Sequence, residues 1–379
     1  MSAPAPLKIG ITCYPSVGGS GILASALGEE LARLGHEVHF ISYERPFRMP
    51  ANAPRLFFHP VDISDYGLFK YPDYTLPLSV KMAEVSREHR LDILHVHYAV
   101  PHATAALLAR DMLPPELRPK IVATLHGTDT TLLGKDPAYA PAIRHALEGA
   151  DAITTVSHFL KAETLRLLGI IRPIDVIHNF FEPRPPKESR DSIRAGLGLK
   201  ENEALILHAS NLRPLKRIDL LLETAARIRP ADAFKLVILA GGDFEPFLPD
   251  ILRLGLQDRV VVRTNVPDIE DYFAAADLAL FTSETESFCL SILEAMAFAC
   301  PSVTTDVGGI PEVVDHNLNG LRVPFGDPDA LALAAESLLA DPPRRTALGN
   351  AAREKARTAF SAATIVPQYL ALYHRVRNK

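Results

Sequence analysis

The chain has 379 residues, 47% of them hydrophobic, which is too long for one ordinary core and predicts two domains of about 150 to 200 residues. Its 40 Lys+Arg stand against 45 Asp+Glu, a formal net charge of -5, so no global field recruits nucleic acid or an anionic membrane and any anion site has to be local. Cys13, Cys289 and Cys300 form no C-x-x-C pair, which argues against a disulfide framework or a zinc site and fits a reducing cytoplasm. The opening MSAPAPLKIGITCYP lacks the charged and apolar regions of a secretory leader, and no run of about 18 apolar residues occurs, so a soluble cytosolic protein is expected.

In chain order, LKIGITCY (7–14) reads as an apolar strand, PSVGGSG as a turn, ILASALGEELARLG as a helix and HEVHFISY as a second strand. Gly18, Gly19 and Gly21 allow a tight turn and close approach of a ligand, and Ser20 adds a hydroxyl at the helix entrance. The dinucleotide fingerprint G-x-G-x-x-G is not met, which disfavours a nicotinamide site. Residues 45–80, rich in Pro and aromatics, read as short strands and loops, with Arg45 and Arg48 as surface charges. A helix at 78–90 and the strand ILHVHYA follow, the strand ending at Tyr98, Pro101 and His102. After the helix ATAALLARDML, the strand KIVATLHG places His126 and Thr128 at its carboxyl end, where ligands bind in open parallel sheets. A helix containing Arg144, the strand DAITTVS, a helix from Phe159 and the strand IDVIHNF complete the first half. The Pro- and charge-rich stretch FFEPRPPKESRDSIRAGLGL then reads as a linker.

The second half restarts the alternation of strand and helix with ALILHAS, IDLLLETAARI, KLVILAGG, a helix to Leu254, RVVVRT, IEDYFAAA and DLALFTS. It continues through PSVTTDVGG and a helix at 328–339 to a helical tail, 345–379, broken near Ser361. Asn211-Leu212-Arg213-Pro214-Leu215-Lys216-Arg217 puts three cations in five residues at a strand's carboxyl end, which suits a pyrophosphate, although a solvated basic turn has the same composition. Gly241-Gly242-Asp243 reads as a structural turn, and Gly308-Gly309-Ile310-Pro311-Glu312 as a glycine turn entering a helix. In FTSETESFCLSILEAMA (281–297), Glu286 and Glu294 stand eight apart across the expected opening of a helix, roughly 12 Å along its axis. Spacing alone does not separate a ligand clamp from two ordinary helix carboxylates.

In their order, these motifs resemble the retaining glycosyltransferases of family 4 across essentially the whole chain. The resemblance implies an α/β fold of the GT-B type, two doubly wound Rossmann-like domains facing a central cleft: an acceptor domain at 1–180, a nucleotide-sugar domain at 204–355, and a helix at 356–379 returning to the first domain. Glu286 and Glu294 match the family's E-x7-E motif, which implies that Glu286 contacts the donor sugar, that Glu294 holds the uridine ribose, and that N–H groups near Phe288, Cys289 and Leu290 support sugar and phosphates. Lys216 falls on the pyrophosphate lysine, and the Gly19-Ser20-Gly21 turn adds donors for the leaving diphosphate. Asn211 stands where the family has Arg, leaving Arg213 to supply part of the charge, and Cys289 stands where the family has Gly, so an altered backbone is expected there.

Within the family, the segment ITCYPSVGGSGILASALGEELARLGHEVHFIS, HVHYAVPHA, and HGTD followed by Arg144 are similar to the branch that opens bacillithiol synthesis. That likeness implies UDP-N-acetylglucosamine as donor and L-malate as acceptor, with Ser20, Tyr98, Thr128 and Arg144 touching malate and His126 near the donor sugar. Transfer with retention and without an enzyme nucleophile is expected, with Lys216, Glu286 and His126 as the catalytic set. No cofactor and no metal ion is expected, since Asp327-Pro328-Asp329, the one D-x-D, reads as a helix cap. Rival readings are a family member with an inositol phosphate, lipid or polysaccharide acceptor, a UDP-sugar epimerase, and a non-catalytic binder. Nucleic acid and membrane are not expected partners, and a homo-oligomer is left open.

Overall fold

The structure, a computed structural model, describes residues 5–15, 19–47, 49, 53–63, 73–230 and 233–379. Gly18 and Arg48 lie outside the described residues. The chain divides into two compact units, residues 1–179 with 362–379, and residues 180–361.

The first unit begins β1 (Lys8–Thr12), α1 (Gly19–Arg33), β2 (Glu37–Ser42), β3 (Leu56–Pro60), α2 (Thr75–His89) and β4 (Ile93–His97). It continues with α3 (Thr104–Asp111), β5 (Lys120–Leu125), α4 (Ala140–Gly149), β6 (Ala152–Thr155), α5 (His158–Leu168) and β7 (Ile174–Val176). Its seven strands are ordered β3-β2-β1-β4-β5-β6-β7, all parallel, so the chain reverses its direction of travel across the sheet between β1 and β4. Helices on both faces explain why β4 is buried along its whole length and reads as a continuous run rather than an alternating one. On α1 the buried Leu23, Leu27 and Leu31 recur at the helical period, and Gly28 lets the helix approach β2, since a Cβ there would sit 2.3 Å from the Phe40 ring. Ser157 caps α5 by accepting from Leu160 N–H, and Gly169 ends it in the left-handed region.

The second unit holds α6 (Arg190–Gly196), β8 (Ala204–Ser210), α7 (Ile218–Arg227), β9 (Phe234–Ala240), α8 (Leu248–Arg253), β10 (Val260–Thr264), α9 (Ile269–Ala275) and β11 (Leu278–Phe281). It ends with α10 (Leu290–Ala297), β12 (Ser302–Thr305), α11 (Ile310–Val313), β13 (Gly320–Val323), α12 (Pro328–Leu339) and α13 (Pro342–Ala359). The sheet runs β10-β9-β8-β11-β12-β13, a doubly wound order whose reversal lies between β8 and β11. Ile206, Leu221, Leu236, Ile238 and Leu280 form the centre of its core. The last helix, α14 (Ala362–Arg377), belongs to the first unit, where the Tyr373 hydroxyl lies 2.7 Å from His95 Nδ1.

Three expectations need correction. Residues 180–203 are not a free linker: they belong to the second unit and carry α6, which is anchored when Arg190 and Arg194 bind the Asp277 carboxylate at 2.6 and 2.9 Å. The helical break falls at Phe360–Ser361, where the break near Ser361 is expected, but the segment returning to the first unit begins at Ala362 rather than at 356, and α13 stays with the second unit. Strand β13, too short and too close to turn residues to stand out, completes the second sheet.

Candidate functional site

In the second unit, the loops after β8 and β11 leave the sheet side by side at the topological reversal, where an open parallel sheet presents its ligand crevice. Pro214–Lys216 forms a single helical turn after β8, and Lys216 Nζ donates to Glu286 Oε1 at 2.5 Å. Ser283 Oγ donates to the same oxygen at 2.7 Å. The two loops are tied at the backbone as well: Glu284 N–H donates to Leu215 O at 2.8 Å, and the Thr282 hydroxyl donates to the carbonyls of Lys216 and Arg217. Burial works to lower the Lys216 pKa, but the Glu286 carboxylate beside it outweighs burial and raises it, so the ammonium stays charged at neutral pH. Beneath this pair, His208 Nδ1 donates to Leu280 O at 2.8 Å, which fixes the tautomer and lets Nε2 accept from Ser210 Oγ at 2.9 Å. Burial pushes His208 down to about 4, so it is neutral beside Lys216.

The E-x7-E spacing does not lie along one helix. Helix α10 starts at Leu290, so Glu286 sits in the preceding loop and Glu294 alone is helical, and the expected separation along one axis does not apply. The reversal is made at Cys289, which has φ of 66° and ψ of 80°, a left-handed conformation that a side chain disfavours. Glu286 and Glu294 are both buried, at 8% and 4% exposure, which removes the reading of two ordinary surface carboxylates. Phe288 is buried and packs its ring edge-on against Phe360 at 5.4 Å, and Leu290 is half-buried. Gly308, at φ of 57°, closes the site from β12: a Cβ there would lie 2.0 Å from Glu286 O, and the Gly309 N–H donates to that oxygen at 2.8 Å. This second glycine turn is therefore a buttress for Glu286.

The basic cluster separates. Arg217 is held by Asp219 at 2.7 Å and lies over the Phe325 ring at 5.3 Å, with Glu284 at 3.8 Å, so it is turned from Lys216. Arg213 is exposed and close enough to Lys216 for its charge to lower the lysine's pKa. Asn211 is exposed at the end of β8, and its backbone touches Gly241, where a Cβ would come within 3.3 Å, so the Gly241–Gly242 turn has a packing role. Asp327 accepts from Ala330 N–H at 2.8 Å as the cap of α12.

In the first unit, the carboxyl ends of β1, β4 and β5 bring Ser20, Tyr98 and His126 together. Ser20, in the first turn of α1, shares a hydrogen bond of 2.6 Å with the Tyr98 hydroxyl, and the Tyr98 ring lies 5.3 Å from that of His126. His126 Nε2 lies 2.8 Å from His97 Nδ1, and burial pushes His126 down to about 3, so neither imidazole is charged at neutral pH. Gly19, exposed at φ of 43°, begins the helix, and Gly21 is buried one residue past Ser20. Thr128 is half-buried at the start of the turn Thr128–Leu132. Arg144 is exposed on α4, its guanidinium near Gly169 at the end of α5.

Several residues that carry the geometry have no sequence signature. Asp129 is buried and its Oδ1 accepts from Ala99 N–H at 3.0 Å, which holds the turn after Tyr98, a residue at φ of 82°. Its Oδ2 has no hydrogen-bond partner among the described residues, and burial pushes the carboxyl up to about 7. Tyr14 packs between Tyr98 and His102, at 5.5 and 4.6 Å. Ser283 and Thr305, whose hydroxyl donates to Ser283 O at 2.6 Å, brace the Glu286 loop.

Residues 17–184 match the family model described as Glycosyltransferase Family 4, and residues 189–355 that described as Glycosyl transferases group 1. The chain is 42% identical to N-acetyl-alpha-D-glucosaminyl L-malate synthase of Bacillus anthracis, over 98% of this chain and 97% of that one. It is 29% identical to D-inositol 3-phosphate glycosyltransferase 1 of Catenulispora acidiphila, over 74% and 72%. Among solved structures, HepE of Anabaena in complex with UDP-glucose superposes with a TM-score of 0.79 at 21% identity, covering 97% of this chain and 100% of that one, a likeness of fold. Among the described residues no helix is long and apolar enough to cross a membrane.

Proposed function

The chain belongs to glycosyltransferase family 4, and from that premise we propose that it transfers N-acetylglucosamine from UDP-N-acetylglucosamine to the hydroxyl of L-malate, the first step of bacillithiol synthesis in the cytoplasm. The observation that supports this reading is 42% identity, over nearly the whole of both chains, to a relative named for that product. In the second unit, Lys216 is the cation for the diphosphate and Glu286, fixed by Ser283 and Gly309, accepts from sugar hydroxyls. Lysine has three donors, so the bond to Glu286 leaves two for phosphate oxygens. Glu294 serves the ribose, and the backbone at Cys289 and Leu290 the phosphates. In the first unit, the paired hydroxyls of Ser20 and Tyr98, with Thr128, serve malate, and the neutral His126 offers a hydrogen bond to the sugar without adding charge. Arg144 contributes a cation for a carboxylate through its long side chain.

The reaction proceeds with retention. The malate O–H attacks the anomeric carbon from the face that UDP leaves; a C–O bond forms, the bond from carbon to the diphosphate oxygen breaks, and the proton passes to a phosphate oxygen of UDP. The protein's part is positioning and stabilisation of the leaving charge, with no cofactor and no divalent ion. UDP release is measured from UDP-N-acetylglucosamine with and without L-malate, and the product mass is determined. Release that does not depend on malate removes the acceptor assignment. The inositol phosphate relative supports a second reading, a phosphorylated polyol as acceptor. Faster turnover with inositol phosphate than with malate selects it.

A further inference from the structure

Away from every residue discussed as a substrate contact, β2, β3 and α2 of the first unit bring three histidines together: His39 on β2, His59 on β3 and His89 at the end of α2. One ring nitrogen from each lies in a group in which no two are more than 4.8 Å apart. His39 Nδ1 is 2.9 Å from His59 Nε2, and the three rings pack on one another with centroids 4.3 to 5.2 Å apart. Phe57 stacks on His39 at 5.0 Å and Glu37 Oε1 accepts from His39 Nε2 at 2.9 Å.

We propose that His39, His59 and His89 form a binding site for a divalent first-row transition ion, zinc in the first instance, that ties the edge strand β3 to β2 and α2. Ligand nitrogens around a tetrahedral ion at about 2.0 to 2.1 Å are separated by roughly 3.3 Å, and the cluster brackets that spacing, with one pair at 2.9 Å and none beyond 4.8 Å. Glu37 holds His39 Nε2–H, orienting the ring so that Nδ1, the atom facing His59, is the ligand; a carboxylate behind a ligating histidine is the usual outer support of such sites. Binding requires His59 to carry its proton on Nδ1, so that Nε2 turns its lone pair to the ion. Other charges at the cluster are Lys8, 3.7 Å from Glu37, Glu88, 3.9 Å from His89 Nε2, and Lys81 on α2, which is paired with Glu84 at 2.7 Å and close enough to act on His59. Three protein nitrogens leave a fourth position for water, and His59 and His89 are open enough to solvent to admit it.

The full chain, stripped with chelator and desalted, is titrated with ZnCl2 by calorimetry. The expected result is one ion per chain with Kd at or below about 1 µM. His59→Ala and His89→Ala each weaken binding at least tenfold, and Glu37→Gln weakens it about 10- to 100-fold. Zinc also raises the thermal midpoint of the native chain and does so less in His59→Ala. Circular dichroism without zinc confirms that each variant is folded, and His59→Asn replaces any that is not. Absence of binding at 100 µM zinc (a ceiling about 100-fold above the expected Kd), or equal affinity in native and histidine variants, overturns the proposal. Neither outcome bears on glycosyl transfer, which is assayed separately.

Discussion

Lys216 Nζ and Glu286 Oε1 lie 2.5 Å apart, so the groups assigned to the phosphate and to the sugar of one donor are a single ion pair. Each holds the other in place: Lys216 neutralises a carboxylate that is 8% exposed, and Glu286 keeps the ammonium charged despite its burial. Lys216→Ala is expected to lower kcat about 10²- to 10³-fold by removing charge stabilisation of the leaving diphosphate. Glu294→Ala is expected to act chiefly on the donor KM. Steady-state kinetics of both variants check this; unchanged values in both put the donor site elsewhere.

Gly308→Ala tests the buttress. A Cβ at this position meets the Glu286 carbonyl at 2.0 Å, and φ of 57° is unfavourable for alanine in any case, so the Glu286 loop must shift. The expected loss is about 2 to 4 kcal/mol of stability together with at least tenfold weaker UDP binding. Denaturant titration and UDP calorimetry read the two effects; a variant with native midpoint and native affinity contradicts the contact.

Cys289→Gly relieves a left-handed conformation worth about 1 kcal/mol while removing a buried thiol of similar worth. Activity is expected to persist, with stability within about 1 kcal/mol of native. Burial pushes the Cys289 thiol well up, so the folded protein is also expected to resist alkylation there. Rapid labelling of Cys289 in mass spectrometry of folded protein contradicts this.

Asp129 makes stability depend on pH. Burial raises its folded pKa from 3.8 to about 7, against the opposing N–H groups of Ala99 and Val100. A raised folded pKa favours the native state fully below the unfolded value near 4, and that contribution is lost as pH rises through 7. Asp129→Asn is therefore expected to gain stability over the native chain at pH 8 relative to pH 5. Parallel denaturant midpoints across this range, native and variant alike, dispose of the idea.

Turnover is expected to survive EDTA in full, because cations of the chain itself serve the diphosphate. Loss in EDTA that added metal restores would move a metal ion into the mechanism. An EDTA-induced fall in thermal midpoint with full activity is instead the signature of the histidine cluster.

Two doubly wound units could be read from the alternation of apolar strands and amphipathic helices, because burial on both faces of a parallel sheet writes itself into local composition. Glu286, Glu294 and Lys216 stood out for a related reason: charges next to strand ends and glycine turns are local patterns. What the alternation could not show was that Glu286 precedes α10 while Glu294 lies on it, since the reversal depends on one backbone dihedral at Cys289. Nor could it join Ser20 to Tyr98, 78 positions apart, or gather His39, His59 and His89 from three elements. Sequence alone determined the fold class, through short-range periodicity, and the chemical types at the strand ends. Only the tertiary structure decided which of them touch, because strand order brings residues far apart in the chain to the same sheet edge and burial then sets their charge.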